Sequence, residues 1–568
     1  MAETTLPPDS PKPAVKILPT DSDPVSPLTG WQRLIPITLK HTRKGTRVHV
    51  AWRQALITLV VLTLVAWLGA ACSAYLFVKY SRGFSEVKFT HMLLMPWKLD
   101  EYREARGEFL IGQGNIELKD QKYREAFYSL RVGVALSPKN REGRMLLAQF
   151  YVAWQRPDLA RRILLDGLEY NQGDIEYLKA LFAYLLQQQS DFELVTITTG
   201  LLATAGPTPQ IDERIRLIAS ARATALFFRG NYDESEDTLT RFRLDEAPDG
   251  KLLLLQIEWE RGEQRMVLEQ MEALTTKFPT YEQIYTQYAT YLREAGREDD
   301  LRRLCVLRQI RFPDRPRPRI DLLYLLDKTK GDEERMQADI ESIFENYPKN
   351  AELLLALADF AANTGRPALA FRVYNHCKAN NLSWEGSALM TVEAHIVAKD
   401  YQAAIIAARQ MLKDNPEWGK RFYSVFNGLQ AIANFGMDDV SSAQIFLNNF
   451  LNQSGVRADN LVAVSNRLMG VGAKTEARQV LDQAVRSDPL NQSAIVGLIK
   501  LDIEIGNGDE LAVNVRTLLA MRKPPRKLLG SAYKSLGSDR NLFASGRTAL
   551  LDDLKKTITA SVDRSDPN

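Results

Sequence analysis

His376, Cys377 and His395 are three side chains whose types could share a metal. The helical pattern puts the first two on one helix and His395 on the next. A closed site needs four ligands, and no acid is spaced to supply the fourth, so ordinary packing is the expectation and no metal site is assigned. Cys305 and Cys377 stand 72 residues apart and there is no CxxC, which gives neither a disulfide pairing nor a redox pair. GxSxG, HExxH, GxxxxGK[ST] and GxGxxG are all absent from the sequence. Gly112-Gln113-Gly114 lacks the preceding strand and third glycine that cradling a phosphate requires. These patterns assign no catalytic residue, no cofactor and no small-molecule substrate. The sequence RFPDRPRPR, residues 311–319, is a basic, proline-rich link. It could meet an anionic polymer or lipid, but a solvated loop is the expectation.

Net charge is +3, from 73 Lys+Arg against 70 Asp+Glu, which leaves no nucleic-acid footprint. Residues 1–36 carry eight of the 25 prolines and are expected to be disordered. Residues 37–54 continue as a basic segment. Residues 55–78 then hold no charge, and at about 1.5 Å per residue a helix of that length crosses a roughly 30 Å hydrocarbon core. Trp52 and Tyr80 flank it as interfacial aromatics do. Five basic residues (Lys40, Arg43, Lys44, Arg47, Arg53) precede the run, and three (Lys79, Arg82, Lys88) follow it. By the positive-inside rule the N-terminus is cytoplasmic and the rest of the chain lies across the membrane.

Beyond a juxtamembrane linker at 79–101, the helical pattern becomes periodic. Windows 107–140 and 141–174 align with small residues in register: Gly114 with Ala148, Ala126 with Ala160, Gly133 with Gly167, each pair 34 apart. Each window reads as two amphipathic helices with a break, at 120–123 and 155–158. Turn glycines Gly262, Gly296, Gly331 and Gly365 and closing prolines Pro279, Pro313 and Pro348 continue the period. A break falls at 206–209, a long loop around Ser454, and two further helices, 527–536 and 542–561, are expected to cap the end at 523–568. One such hairpin cannot bury its apolar face alone, so the hairpins must stack.

This register resembles the tetratricopeptide repeat (TPR) family, whose 34-residue unit carries small residues at these positions. The resemblance implies an all-α fold: a TPR-type α-solenoid of about twelve repeats over 102–522, preceded by one transmembrane helix. It also implies a concave face lined by first helices. The position that tends to face a ligand there reads Asn115, Gln149, Gln256, Thr290, Asp359, Glu393 and Asn466, and Trp259 adds an aromatic candidate. Such side chains can hydrogen-bond an extended peptide. The clamp that some members use for a C-terminal carboxylate is absent, with Ile111, Leu146, Glu176 and Ala180 standing among its positions. The expectation is a non-enzymatic, single-pass scaffold of a bacterial inner membrane. Its repeats lie on the periplasmic side and hold extended peptide segments or helices of partner proteins in an envelope assembly or export complex. A glycan-binding array is the alternative, and exposed aromatics such as Trp259 would favour it.

Overall fold

One left-handed residue reverses the chain inside nearly every helical hairpin. Gln121, Gln155 and Gln189 hold φ of 62°, 57° and 54° at intervals of 34 residues. Gly230, Gly262, Gly296, Gly365, Lys399, Asp438, Gly472 and Gly506 take the same sign in the later hairpins. The amide of the residue after the reversal reaches back to seal the helix end: Lys122 to the Glu117 carbonyl at 2.9 Å, Arg156 to Tyr151 at 2.8 Å, Ser190 to Leu185 at 2.9 Å. This closure satisfies carbonyls that the helix end would otherwise orphan, and it demands positive φ, which only glycine adopts without cost.

The computed structural model describes residues 18–19, 37–42, 45–50, 52–204, 211–329, 332–453 and 455–559. They divide into two compact units, Met1–Leu181 and Phe182–Asn568. From Met95–Lys119 with Tyr123–Leu136 to Gln492–Ile505 with Gly508–Ala520, twelve helix pairs follow one another. A further pair, Arg526–Gly537 and Arg547–Thr559, comes after them. The window at 175–206, the most degenerate in sequence, is a regular pair, Ile175–Gln187 and Asp191–Thr204. The expected break at 206–209, the turn glycine Gly331 and the loop residue Ser454 lie outside the described residues. So does the expected disordered tail, apart from Leu18–Pro19.

Small residues sit where helices touch. A Cβ on Gly133 would lie 2.7 Å from Ile111 Cγ1, and one on Gly114 would lie 2.8 Å from Leu130 Cγ. Ala126, Ala160, Ala370 and Ala404 are almost wholly buried. Several first helices start on an Asn or Asp whose side chain caps an amide: Asn140 for Gly143, Asn350 for Leu353, Asn491 for Ala494. Such a cap is worth about 1 kcal/mol.

In the first unit the helix Trp52–Leu76 continues through a π-turn at Phe77–Ser81. The stretch Ala55–Ser81 is long and apolar enough to cross a membrane. The basic segment 37–54 also holds a strand pair that its charge pattern does not predict. Ile37–Thr42 pairs antiparallel with Gly45–Val50, and Leu18–Pro19 joins parallel to its far side. Thr46, Val48 and Val50 alternate along the second strand, and Ile37, Thr38 and Thr42 supply β-branched residues to the first, which gives the hairpin its local basis.

Candidate functional site

In the second unit, first helices pack on first helices of neighbouring repeats, as Ala351–Asn363 does on Glu385–Val397. That crowding makes the first helices the inner wall. Arg467, on the first helix Ala458–Gly470, spans this wall. Its Nε donates to Glu393 Oε1 at 2.8 Å, and its Nη2 donates to Asn363 Oδ1 at 2.6 Å. Asn363 in turn donates to Tyr324 Oη at 3.2 Å. Four first helices are joined in this way, through bonded pairs up to 104 residues apart. Asp359 stands in the same wall. Burial, reinforced by the charge of Glu393, raises its carboxyl above the ordinary value of 3.8. Sequence reasoning singled out Asp359 and Glu393 but missed Arg467, Asn363 and Tyr324. The arginine's place beside Asn466 was the only available hint.

The eight predicted residues divide between the units: Asn115 and Gln149 in the first, the other six in the second. Gln149 and Asn466 are exposed. Asn115 donates to Glu142 Oε1 at 2.9 Å, and the Thr290 hydroxyl returns to its own helix at the Thr286 carbonyl. Gln256 is half-buried. Trp259 requires a correction. It was read as an aromatic open to a ligand, but it is buried, its ring stacks on Tyr291 at 4.0 Å, and its indole N–H donates to Glu294 Oε2. Its position follows the helix register inward, so its surface is spent on the array's own packing.

The two ends of the second unit also meet. Arg522 forms an ion pair with Asp191 through Nε and Nη2, and its guanidinium lies 4.2 Å from the Phe228 ring centroid. Lys523 sits 3.6 Å over Phe227 and 3.0 Å from Glu260 Oε1, and burial pushes its ammonium pKa down. Arg526 donates to the Glu260 carbonyl. Residues up to 331 apart therefore close this unit upon itself.

The other chemistries weighed from sequence are used internally. His376 Nε2 lies 2.8 Å from the Pro348 carbonyl, and its ring packs edge-on against Phe344. His395 faces Asp400 at 3.7 Å, and burial pushes the Cys377 thiol up. Among the described residues no three His, Cys, Asp or Glu side chains are grouped to hold a metal. In the basic link, Arg315 pairs with Glu282, Arg317 with Asp321, and Arg319 with Tyr347.

Residues 117–183 match the tetratricopeptide repeat family. Over those residues the chain carries the tetratricopeptide repeat, and the helix pairs on either side repeat the same stacked-hairpin pattern of an α-solenoid. No curated protein matches it. Solved structures that it resembles include Naa15/Naa10 bound to HypK-THB, with 15% identity, 88% of this chain and 76% of that one covered, and a TM-score of 0.29. Yeast Tom70 matches at 11% identity, with 81% and 99% covered and a TM-score of 0.30. A tetratricopeptide repeat protein from Parabacteroides merdae matches at 12%, with 50% and 98% covered and a TM-score of 0.28.

Proposed function

We propose that this chain is a single-pass membrane scaffold whose repeats hold partner proteins along first-helix faces, in an envelope assembly or export complex. The observation that carries the reading is an apolar helix, Ala55–Ser81, whose most apolar 18-residue window is only 6% buried, joined in one chain to stacked hairpins. An apolar surface of that length needs lipid to cover it, whereas the hairpins bury their own. The excess of basic residues before the helix favours a cytoplasmic N-terminus, hence repeats on the periplasmic side of a bacterial inner membrane. Exposed amides at Gln149 and Asn466 offer hydrogen bonds to an extended segment. The burial of Trp259 removes one aromatic that would favour the glycan-binding alternative. A reporter active only outside the cytoplasm, fused after Asn568, tests the topology. Activity supports the reading, and activity of a cytoplasmic reporter in its place overturns the orientation.

A further inference from the structure

After the π-turn the first unit folds back along its own apolar helix. The Phe84 amide donates to the Val78 carbonyl, Phe89 packs edge-on against Tyr75, and Trp67 Nε1 donates to the Leu93 carbonyl at 2.9 Å. Partners thus descend the helix from Val78 through Tyr75 to Trp67 as the chain runs from Phe84 to Leu93. At about 1.5 Å per residue, the eleven residues from Val78 to Trp67 correspond to roughly 16 Å of descent. The helix Met95–Lys119 then turns upward again, with Tyr102 and Phe109 beside Phe84. The lowest point is the turn at Leu94, Met95 and Trp97, all exposed, with Trp97 79% accessible.

Taking the membrane-spanning reading above as given, we infer that this turn is an interfacial anchor, with Leu94, Met95 and Trp97 seated at the headgroup–acyl boundary of the outer leaflet. The outer edge of the span then lies at Trp67 and Trp97 rather than at Tyr80; the helix left between Trp52 and Trp67, about 22 Å, spans a bilayer thinned around it, with the basic flank reaching to the inner headgroups. Two observations fix the depth. Apolar side chains on the helix are exposed from Leu56 to Leu68, whereas from Ala71 onward one face is covered by the fold-back. Immediately past Trp97 come Lys98, Asp100, Glu101, Arg103 and Glu104. Charges in hydrocarbon cost more than exposed apolar side chains in water. If Tyr80 marked the outer edge, all five would be drawn into the acyl region. Placing the boundary at Trp97 keeps them in water and leaves Leu68, at the boundary itself, and Leu76, Phe77 and Tyr80 as the large exposed apolar residues above Trp67 on the helix. The upper helix, through Ser81, is then the first packed element of the soluble domain. Trp52 marks the inner edge, and an indole suits each boundary.

Nitroxide labels on the full-length protein in phosphatidylcholine–phosphatidylglycerol liposomes test this. They are placed at Leu62→Cys, Phe77→Cys, Met95→Cys and Lys119→Cys in a Cys72→Ser background. Accessibility to oxygen against a water-soluble nickel chelate gives each depth. The expected order is Leu62 in lipid, Met95 at the interface, and Phe77 and Lys119 in water, with chelate accessibility at Phe77 several-fold above that at Met95. Phe77 no more accessible than Met95, or Met95 as accessible as Lys119, overturns the anchor while leaving the span intact. Leu62 in water overturns the span itself, and the anchor with it.

Discussion

The left-handed hairpin residue makes the most exacting prediction, because its effect can be separated from packing. At Gly296, φ is +69° and a Cβ would meet nothing within 4 Å. Gly296→Ala therefore reports the backbone alone. Left-handed geometry costs an ordinary residue roughly 1–2 kcal/mol, against about 0.4–1 kcal/mol returned by the stiffer unfolded chain. The expected result is a destabilisation of about 1 kcal/mol. At Gln155 the same reversal is already strained at φ 57°, so Gln155→Gly should stabilise by about 0.5–1 kcal/mol from the same two terms. Gly133→Ala differs in kind, since that glycine is helical and its Cβ would lie 2.7 Å from Ile111 Cγ1 and 3.0 Å from the Gly107 carbonyl oxygen. Overpacking of roughly 1–3 kcal/mol there outweighs the 0.5–1 kcal/mol by which alanine suits a helix. Denaturant midpoints on the full-length protein in detergent measure all three. Repeat arrays can unfold in segments, so hydrogen exchange in each hairpin should accompany them. If Gln155→Gly destabilises as Gly296→Ala does, backbone strain does not govern these turns.

Three further outcomes follow from the second unit and the groove. Because burial raises the Asp359 carboxyl in the folded state, its contribution is complete below the unfolded value of about 3.9 and is lost as pH rises through the folded value. Asp359→Asn should accordingly raise the melting temperature at neutral pH and lose that advantage in acid; a pH-independent difference would dismiss burial as the cause. Arg522→Ala leaves Asp191, 2% exposed, without its guanidinium partner, and stranding one member of a buried pair costs roughly 3–5 kcal/mol. Hydrogen exchange should quicken in Asp191–Thr204, and unchanged protection would show that the two ends do not hold each other. Gln149→Ala and Asn466→Ala should each weaken capture of an extended partner by about 0.5–1.5 kcal/mol, the net value of a hydrogen bond, in a titration by calorimetry. The Arg161→Ala control, on a second helix, should bind as the unchanged protein does.

What the sequence makes legible here is local and periodic. Gly114 with Ala148 and Gly133 with Gly167 reveal the hairpin because close helix contact requires small residues at a fixed interval, and the observed overlaps at Gly133 and Gly114 are that requirement. Turn glycines were legible because a positive φ recurring at a fixed interval favours glycine, whereas Gln121, Gln155 and Gln189 passed unnoticed because glutamine carries no signal for left-handed geometry. The strands Ile37–Thr42 and Gly45–Val50 were obscured by reading that stretch for its charge. Contacts set by superhelical winding leave no trace in a 34-residue window. Arg467 meets Asn363 three repeats away, and Arg522 meets Asp191 across nearly the whole second unit. Trp259 shows the converse error, since residue type was read without knowing which way the helix turns its ring.

Site-specific photocrosslinking in intact membranes tests the scaffold reading most directly. A photoreactive residue replaces Asn466, exposed on a first helix, or Arg265, whose side chain is 94% exposed on the second helix Gln264–Lys277. The scaffold account predicts a discrete protein adduct from position 466 that position 265 does not give. An adduct from 265 with none from 466 would move the binding surface to the outer face and contradict the account.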